Sequence, residues 1–348
     1  MSIDGDLSIL VVIPTLNEGA TIEGVIHTLA QDWPAQLQVK VVVADGGSTD
    51  GTVQMVQRMA QSRPWLSVLA NPKRIQSAAV NLAALRDGGD ANILIRCDAH
   101  ADYPLGFVRR LAETLMQTGA DAVVVPMDSA GHNCWQRAVA WVSDTPFGSG
   151  GSAHRGGRRS GFIDHGHHAA FRMESFWRAG GYDENFTHNE DAELDCRQRA
   201  LGSRIYLDAD IRIGYSPRGT FLGLWRQYFN YGRGRSRTVR RHPGSIRLRQ
   251  MAVPLHVALC IAGFLLSPWW PLLLLWPSAY LAALVGVSVM LSVRHRSLCG
   301  LLAGAAAATM HWAWACGFFN GMVTLREKPW RPSGSPLNAA AAPEGRDG

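Results

Sequence analysis

Apolar residues recur through the first 130 positions as short runs set between longer stretches of helical spacing. "SILVVIP" from Ser8, "QVKVVVAD" from Gln38, "NILIRCD" from Asn92 and "GADAVVVPM" from Gly119 read as strands. Between them, helices are predicted near 20–30, from about 52, near 76–86 and near 105–117. Near-continuous Val and Ile runs, rather than strict alternation, mark strands buried on both faces, and strands separated by helices build an α/β domain with a mostly parallel sheet. Ligands of such sheets lie beyond the carboxyl ends of the strands, so the residues that end each strand are the ones to weigh.

The pattern changes after Arg249. Apolar runs begin at Met251 ("MAVPLHVALCIAGFLLS"), at Pro268 ("PWWPLLLLWPSAYLAALVGVSVMLSV") and at Ser297 ("SLCGLLAGAAAATMHWAWACGFFNGMVTL"). The second and third exceed the roughly 20 residues of a spanning helix, while the first is marginal and suits an interfacial or re-entrant segment. The expected organisation is a catalytic-type domain over 1–240, a basic juxtamembrane segment over 241–250, a transmembrane region of two to three helices over 251–325, and a flexible tail over 326–348.

Charge refines this picture. The early run "LSILVVIP" is too short for a secretory signal and ends at Pro14, so the first domain is expected in the cytoplasm, carried by a multi-pass protein of the cytoplasmic (inner) membrane. Arg233, Arg235, Arg237, Arg240, Arg241, Arg247 and Arg249 precede the first apolar run, as expected of a cytoplasmic flank. Arg326, Lys328 and Arg331 follow the last run, where three crossings would place them outside, so the number of crossings stays open. The formal net charge of +6 comes largely from the arginine block, which suits anionic lipid better than nucleic acid. No nucleic-acid-reading motif is present. Six cysteines, dispersed without a C-x-x-C pair, read as reduced packing residues.

Candidate chemistry gathers at the strand ends: "PTLNE" (Pro14 to Glu18), "ADGGSTDGT" (Ala44 to Thr52) and "CDAH" (Cys97 to His100). Asp98 and His100 are two apart, so in extended chain they face one side and a cation can bridge them; polar residues also collect wherever a strand surfaces. Asp45 precedes two glycines and can accept from a base or ribose, whereas Ser48, Thr49 and Asp50 have the chemistry of helix N-caps. "GGSAHRGGRRS", from about 150, reads as a mobile loop, and the histidines after it fit no structural zinc spacing. Glu190 and Asp191 open a helical stretch, a place where acids are common for electrostatic reasons alone.

Taken in order, "VVIPTLNE", "VVVADGGSTDGT", "CDAH", "HNEDAEL" and "WRQYFNYGRGR" resemble the family 2 glycosyltransferases of GT-A fold over about residues 8–240. The set is most similar to the membrane glucosyltransferases of succinoglycan-type exopolysaccharide assembly. That resemblance implies an inverting transfer of a sugar, glucose from UDP-glucose, to a lipid-linked, diphosphate-bearing saccharide. It implies Mn²⁺ or Mg²⁺ held by Asp98 and His100 in place of the family's Asp-x-Asp. It makes Asp191 the base, oriented by Glu190, and assigns Pro14, Asn17, Glu18, Asp45, Asp98, Gln227, Arg233 and Arg235 to the nucleotide sugar. Two departures stand out. His100 replaces an Asp and is a softer ligand without charge. Asn230 stands where the family's Q/R-x-x-R-W signature has an arginine, leaving that task to Arg233 or Arg235. A catalytically silent nucleotide-sugar-binding module on the membrane is the alternative. A nucleotidyltransferase lacks its Gly-rich basic triphosphate loop here.

Overall fold

The computed structural model describes residues 7–34, 36–150 and 158–332. The chain opens with β1 (Leu7–Thr15), α1 (Ile22–Leu29), β2 (Leu37–Asp45), α2 (Thr52–Ala60), β3 (Leu66–Ala70), α3 (Gln76–Asp87), β4 (Ile93–Arg96), α4 (Phe107–Thr118) and β5 (Ala122–Val125). It continues through β6 (Met127–Ser129), α5 (Cys134–Ser143), the single turn α6 (Pro146–Ser149), β7 (Gly161–Ile163), β8 (His167–Arg172), α7 (Met173–Arg178) and α8 (Glu190–Ala200). It ends with β9 (Ile205–Leu207), β10 (Ile213–Tyr215), α9 (Phe221–Arg241), α10 (Leu248–Leu266), α11 (Leu275–Arg294) and α12 (Ala303–Thr324). Most of the segment expected as a mobile loop, and the tail beyond 332, lie outside the described residues.

The chain forms two compact units, one of residues up to Pro126 with Arg158–Ile213 and from Trp330 on, the other of Met127–Gly157 with Gly214–Pro329. In the first, an eight-stranded sheet runs in the order β3-β2-β1-β4-β8-β5-β9-β7. β1 pairs in parallel with β2 and β4, β2 with β3, and β5 with β9. β8 enters antiparallel between β4 and β5. The predicted strands form because their aliphatic runs are covered on both faces: Leu10, Val12, Val42 and Leu94 pack with Ala79, Val80 and Ala83 of α3 and with Phe171, Phe176 and Tyr182. Each Val or Leu so buried contributes roughly 1.5–3 kcal/mol.

The register explains the site. Thr15 lies level with Asp45. Arg96 lies opposite Val12, and Ala170 of β8 opposite Ile95. Because an antiparallel strand begins where its neighbours end, β8 starts with His167 at the carboxyl edge of β4.

In the second unit, Val139 and Val142 of α5, Leu224 of α9, Val287 and Leu291 of α11, and Ala303, Ala306, Ala307 and Met310 of α12 share one core. α9 and α12 meet through glycines, since a Cβ on Gly232 would overlap the Trp314 carbonyl and one on Gly317 the Phe229 carbonyl. Residues 214–241, expected in the first domain, therefore cluster with the helices that follow. Cys134 and Cys299 are joined by a disulfide, which corrects the expectation of six reduced cysteines; a separation of 165 residues left no local spacing to betray the pair. The other four are thiols. Two helical segments, Pro271–Arg294 and Leu298–Thr324, are long and apolar enough to cross a membrane, and Gln250–Leu266 is shorter.

Candidate active site

The loops after β1 and β2 are laced together. Asn17, with φ 57°, accepts the Thr49 N–H at 2.8 Å and donates its own N–H to Ser48 Oγ at 2.8 Å. The N–H groups of Glu18 and Gly19 donate to Thr52 Oγ1 and Asp50 Oδ2 at 3.1 and 2.9 Å. Ser48 and Thr49, which read as caps, thus serve the neighbouring loop, while Asp50 also accepts the Thr52 N–H at 3.1 Å. Asp45 is buried: Oδ2 accepts the N–H groups of Gly47 and Ser48 at 2.7 and 2.9 Å, and Oδ1 the Ser48 hydroxyl at 2.5 Å. Gly47 is required here, because its φ is 88° and a Cβ would press on the Arg74 guanidinium. Pro14 lies in β1 opposite Ala44.

Beyond β4, Asp98 is fixed from several directions. Its N–H donates to Tyr103 Oη at 2.6 Å, and Gln76 Nε2, at the start of α3, donates to Oδ1 at 2.7 Å. Oδ2 faces His167 Nε2 at 3.7 Å, and the other nitrogen of that ring stands 3.9 Å from Asp191 Oδ2. Arg96, the last residue of β4, fills the space between the acids. It donates to Asp191 Oδ1 at 2.6 Å and to Tyr182 Oη at 3.2 Å, and lies 3.6 Å from Glu190 and 3.8 Å from Asp98. Tyr182 in turn donates to Asp191 Oδ1 at 3.1 Å. Asp98, Glu190 and Asp191, about ninety residues apart in sequence, are therefore gathered around one buried guanidinium.

The electrostatics follow. Burial alone would pull Arg96 down, but Asp191, Tyr182, Asp98 and Glu190 more than offset it and hold the guanidinium charged. Burial likewise opposes ionisation of Asp98, and Arg96 with His167 and His100 outweighs it, so its pKa lies below the usual carboxylate range. Glu190 goes the other way: burial first, then repulsion by Asp191, pushes it up to about 7, with Arg96 opposing. A folded pKa above the unfolded one means stability falls as pH rises between about 4.5 and 7 and stays lowered above. Glu190→Gln is thus expected to raise the melting temperature of the metal-free protein at about pH 8, by an amount worth up to a few kcal/mol, and to change it little below about pH 4.5. Melting curves of both proteins across that range in chelator check this.

A divalent cation is compatible with these donors. An ionised carboxylate only accepts, so the 2.8 Å contact from His100 Nδ1 to Glu18 Oε1 makes Nδ1 the protonated nitrogen and leaves Nε2 as the lone-pair donor. Glu18 therefore orients the His100 ring. No group of three or more His, Cys, Asp or Glu is arranged to hold a metal among the described residues, so Asp98 and His100 would need oxygens from a bound diphosphate to complete a coordination sphere.

The remaining expected residues lie on α9 in the second unit. Gln227 donates to Tyr215 and Tyr231 hydroxyls at 2.8 and 3.0 Å. Arg233 is also on α9, and the buried Arg235 donates to the Ser245 carbonyl. Arg96, His167, Gln76, Tyr103 and Tyr182 were missed by sequence reasoning. Arg96 carried a usable signal: a lone charge in the otherwise aliphatic strand "ILIR" needs carboxylates around it once buried.

Comparison with known proteins agrees with this geometry. Glycosyl transferase family 2 matches residues 10–180. The Succinoglycan biosynthesis protein ExoA of Rhizobium meliloti (strain 1021) is 43% identical over 321 residues, which cover 92% of this chain and 97% of that protein. Among solved structures, the mannosyltransferase PcManGT from Pyrobaculum calidifontis, in complex with GDP-Man and Mn²⁺, superposes with a TM-score of 0.57 at 20% identity, covering 91% of this chain and 88% of that one. With an acid-lined edge on a mostly parallel sheet and this identity along nearly the whole length of both chains, the protein belongs to glycosyltransferase family 2 and is a glycosyltransferase of GT-A fold.

Proposed function

We propose that this enzyme moves a hexosyl group, glucose from UDP-glucose, onto a lipid-linked saccharide at the cytoplasmic face of the membrane, with inversion, during bacterial exopolysaccharide assembly. The observation that carries the reading is the meeting of Asp98, Glu190 and Asp191 around Arg96 at the carboxyl edge of the sheet. The succinoglycan relative supports the polysaccharide product. The GDP-Man and Mn²⁺ of the mannosyltransferase neighbour support a nucleotide sugar and a divalent ion.

The laced loops of Asn17 and Ser48 with buried Asp45 form a rigid backbone shelf for the nucleoside. Asp98 and His100 are the residues that would hold Mn²⁺ or Mg²⁺. When bound, such an ion neutralises charge developing on a departing diphosphate. Asp191 takes the proton of the incoming hydroxyl, its carboxylate oriented by Arg96 and Tyr182 at Oδ1. Arg96 fixes the direction of that carboxylate through the 2.6 Å ion pair. One base with no enzyme nucleophile gives a single displacement, hence inversion.

The test is at His100. His100→Ala is expected to weaken UDP binding, read by calorimetry, in Mn²⁺ and to leave it nearly unchanged in chelator. Equal losses in both conditions would assign His100 a structural role instead.

A further inference from the structure

The apolar helices of the second unit are unequally covered. In Pro271–Arg294 only 11% of the most apolar window is buried, whereas in Leu298–Thr324 the figure is 56%. α10 and α11, 19 and 20 residues long, expose large side chains up to the turn that joins them: Leu265, Trp269, Trp270, Leu272 and Leu275, with Trp269 at 72% and Leu272 at 78%. No charged residue occurs from Met251 to Val293. Each helix is about 30 Å long, comparable to the hydrocarbon thickness of a bilayer, and paired tryptophans at a turn suit a membrane–water interface.

α12 is held differently. It lies along α9 through Gly232, Gly317 and Gly321, and α9 carries Arg226, Arg233, Arg235, Arg237, Arg240 and Arg241. Arg240 caps the end of α12 by donating to the carbonyls of Gly321 and Leu325, and Arg237 pairs with Glu327 at 2.8 Å just beyond it. An arginine at mid-bilayer costs about 2.5–3.5 kcal/mol even on the mildest scale, which disfavours α9, and α12 bound along it, as spanning helices.

The turn between α11 and α12 is held against α5. Cys299 is bonded to Cys134, and the His295 ring stacks on Trp141 at 4.1 Å. The His295–Trp141 stack is a second hold on this turn, independent of the bond. Among the described residues before Pro243, no helix is long and apolar enough to cross a membrane, which leaves α5 and α9 on the same side as the catalytic sheet. Positive charge marks that side at every junction: Arg247 and Arg249 at the start of α10, Arg294 and Arg296 at the end of α11, and Arg326, Lys328 and Arg331 after α12.

We propose that α10 and α11 alone enter the lipid bilayer, as a hairpin led by Trp269 and Trp270 that leaves and returns to the catalytic side, while α12 and the residues after it stay on that side. This rests on the membrane reading above, and it accounts for Arg326, Lys328 and Arg331, which three crossings would have placed outside.

The test uses the full chain in bacterial cells, fused at its carboxy terminus either to green fluorescent protein, which fluoresces when it folds in the cytoplasm, or to alkaline phosphatase, which is active only outside it. Carbonate-washed membranes are collected in parallel. Expected are membrane retention, a fluorescent fusion, and phosphatase activity at the level of a cytoplasmic control. A membrane-retained chain with active phosphatase would overturn the hairpin topology while leaving membrane attachment standing. A chain that washes off the membrane would overturn both.

Discussion

Asp191→Asn is expected to lower sugar transfer by roughly 10² to 10⁴, the usual loss on removing a general base, and to leave UDP-sugar affinity nearly unchanged. The substitution is well controlled, because an Asn side-chain oxygen can still accept from Arg96 and Tyr182, which now meet at Oδ1. Transfer rate and donor affinity should be measured on one preparation with matched melting behaviour. Transfer near the wild-type rate would move the base elsewhere, and the structure narrows where. Glu193 is fully buried, with both oxygens on Arg197, and cannot serve. Asp164 is paired with Arg199 at 3.1 Å. Glu190, held near neutral pKa by burial, would be the successor, and Glu190→Gln would then show the loss predicted for Asp191.

The second large effect is expected at Arg96. Arg96→Met removes the guanidinium placed among Asp191, Glu190 and Asp98 at 2.6, 3.6 and 3.8 Å, in a position where its own side chain is 5% exposed. Removing one partner of a buried charge cluster costs about 3–5 kcal/mol, because the others are left uncompensated. For a protein of this size that lowers the melting temperature on the order of 10 °C. The double variant Arg96→Met with Asp191→Asn should recover part of the loss, since one fewer carboxylate is stranded. Arg96→Lys should fall between, because a single ammonium cannot serve both Asp191, which Arg96 meets with Nη1, and Asp98, which it meets with Nη2. Thermal melts of the four proteins in the same detergent decide it; an Arg96→Met protein as stable as wild type would mean that the acids are protonated rather than paired.

How far the sequence revealed this site depends on how each residue signals itself. β1, β2, β4 and β5 were legible because aliphatic runs between helices admit few other folds, and Asp98, His100, Glu190 and Asp191 were legible because they end or begin such elements. β3 was missed because Ser67 breaks the aliphatic run of "LSVLA", a strand only partly buried, and β8 because "HHAAFR" alternates like neither a buried strand nor an amphipathic helix. That strand brings His167 between two acids, so its absence from the sequence reading hid His167 as well. Glu18 was assigned to the nucleotide, whereas its carboxylate sits on His100, 82 residues away, a pairing no local pattern encodes. The arginines before the apolar runs read as a lipid-facing block, yet Arg237 and Arg240 are engaged with Glu327 and the end of α12. Charge count alone does not distinguish a helix that faces lipid headgroups from one that caps its neighbour.

The most direct test of the proposed activity is to incubate membranes containing the wild-type chain, and matched membranes containing Asp191→Asn, with radiolabelled UDP-glucose and other UDP-sugars in Mn²⁺, Mg²⁺ or chelator. The lipid fraction is then extracted and counted. The proposal predicts label from UDP-glucose in lipid from the wild-type membranes, dependent on the divalent ion and reduced to background with Asp191→Asn. Lipid labelling absent for every UDP-sugar in both metals, with no UDP released, would contradict it and leave a nucleotide-sugar-binding module in its place.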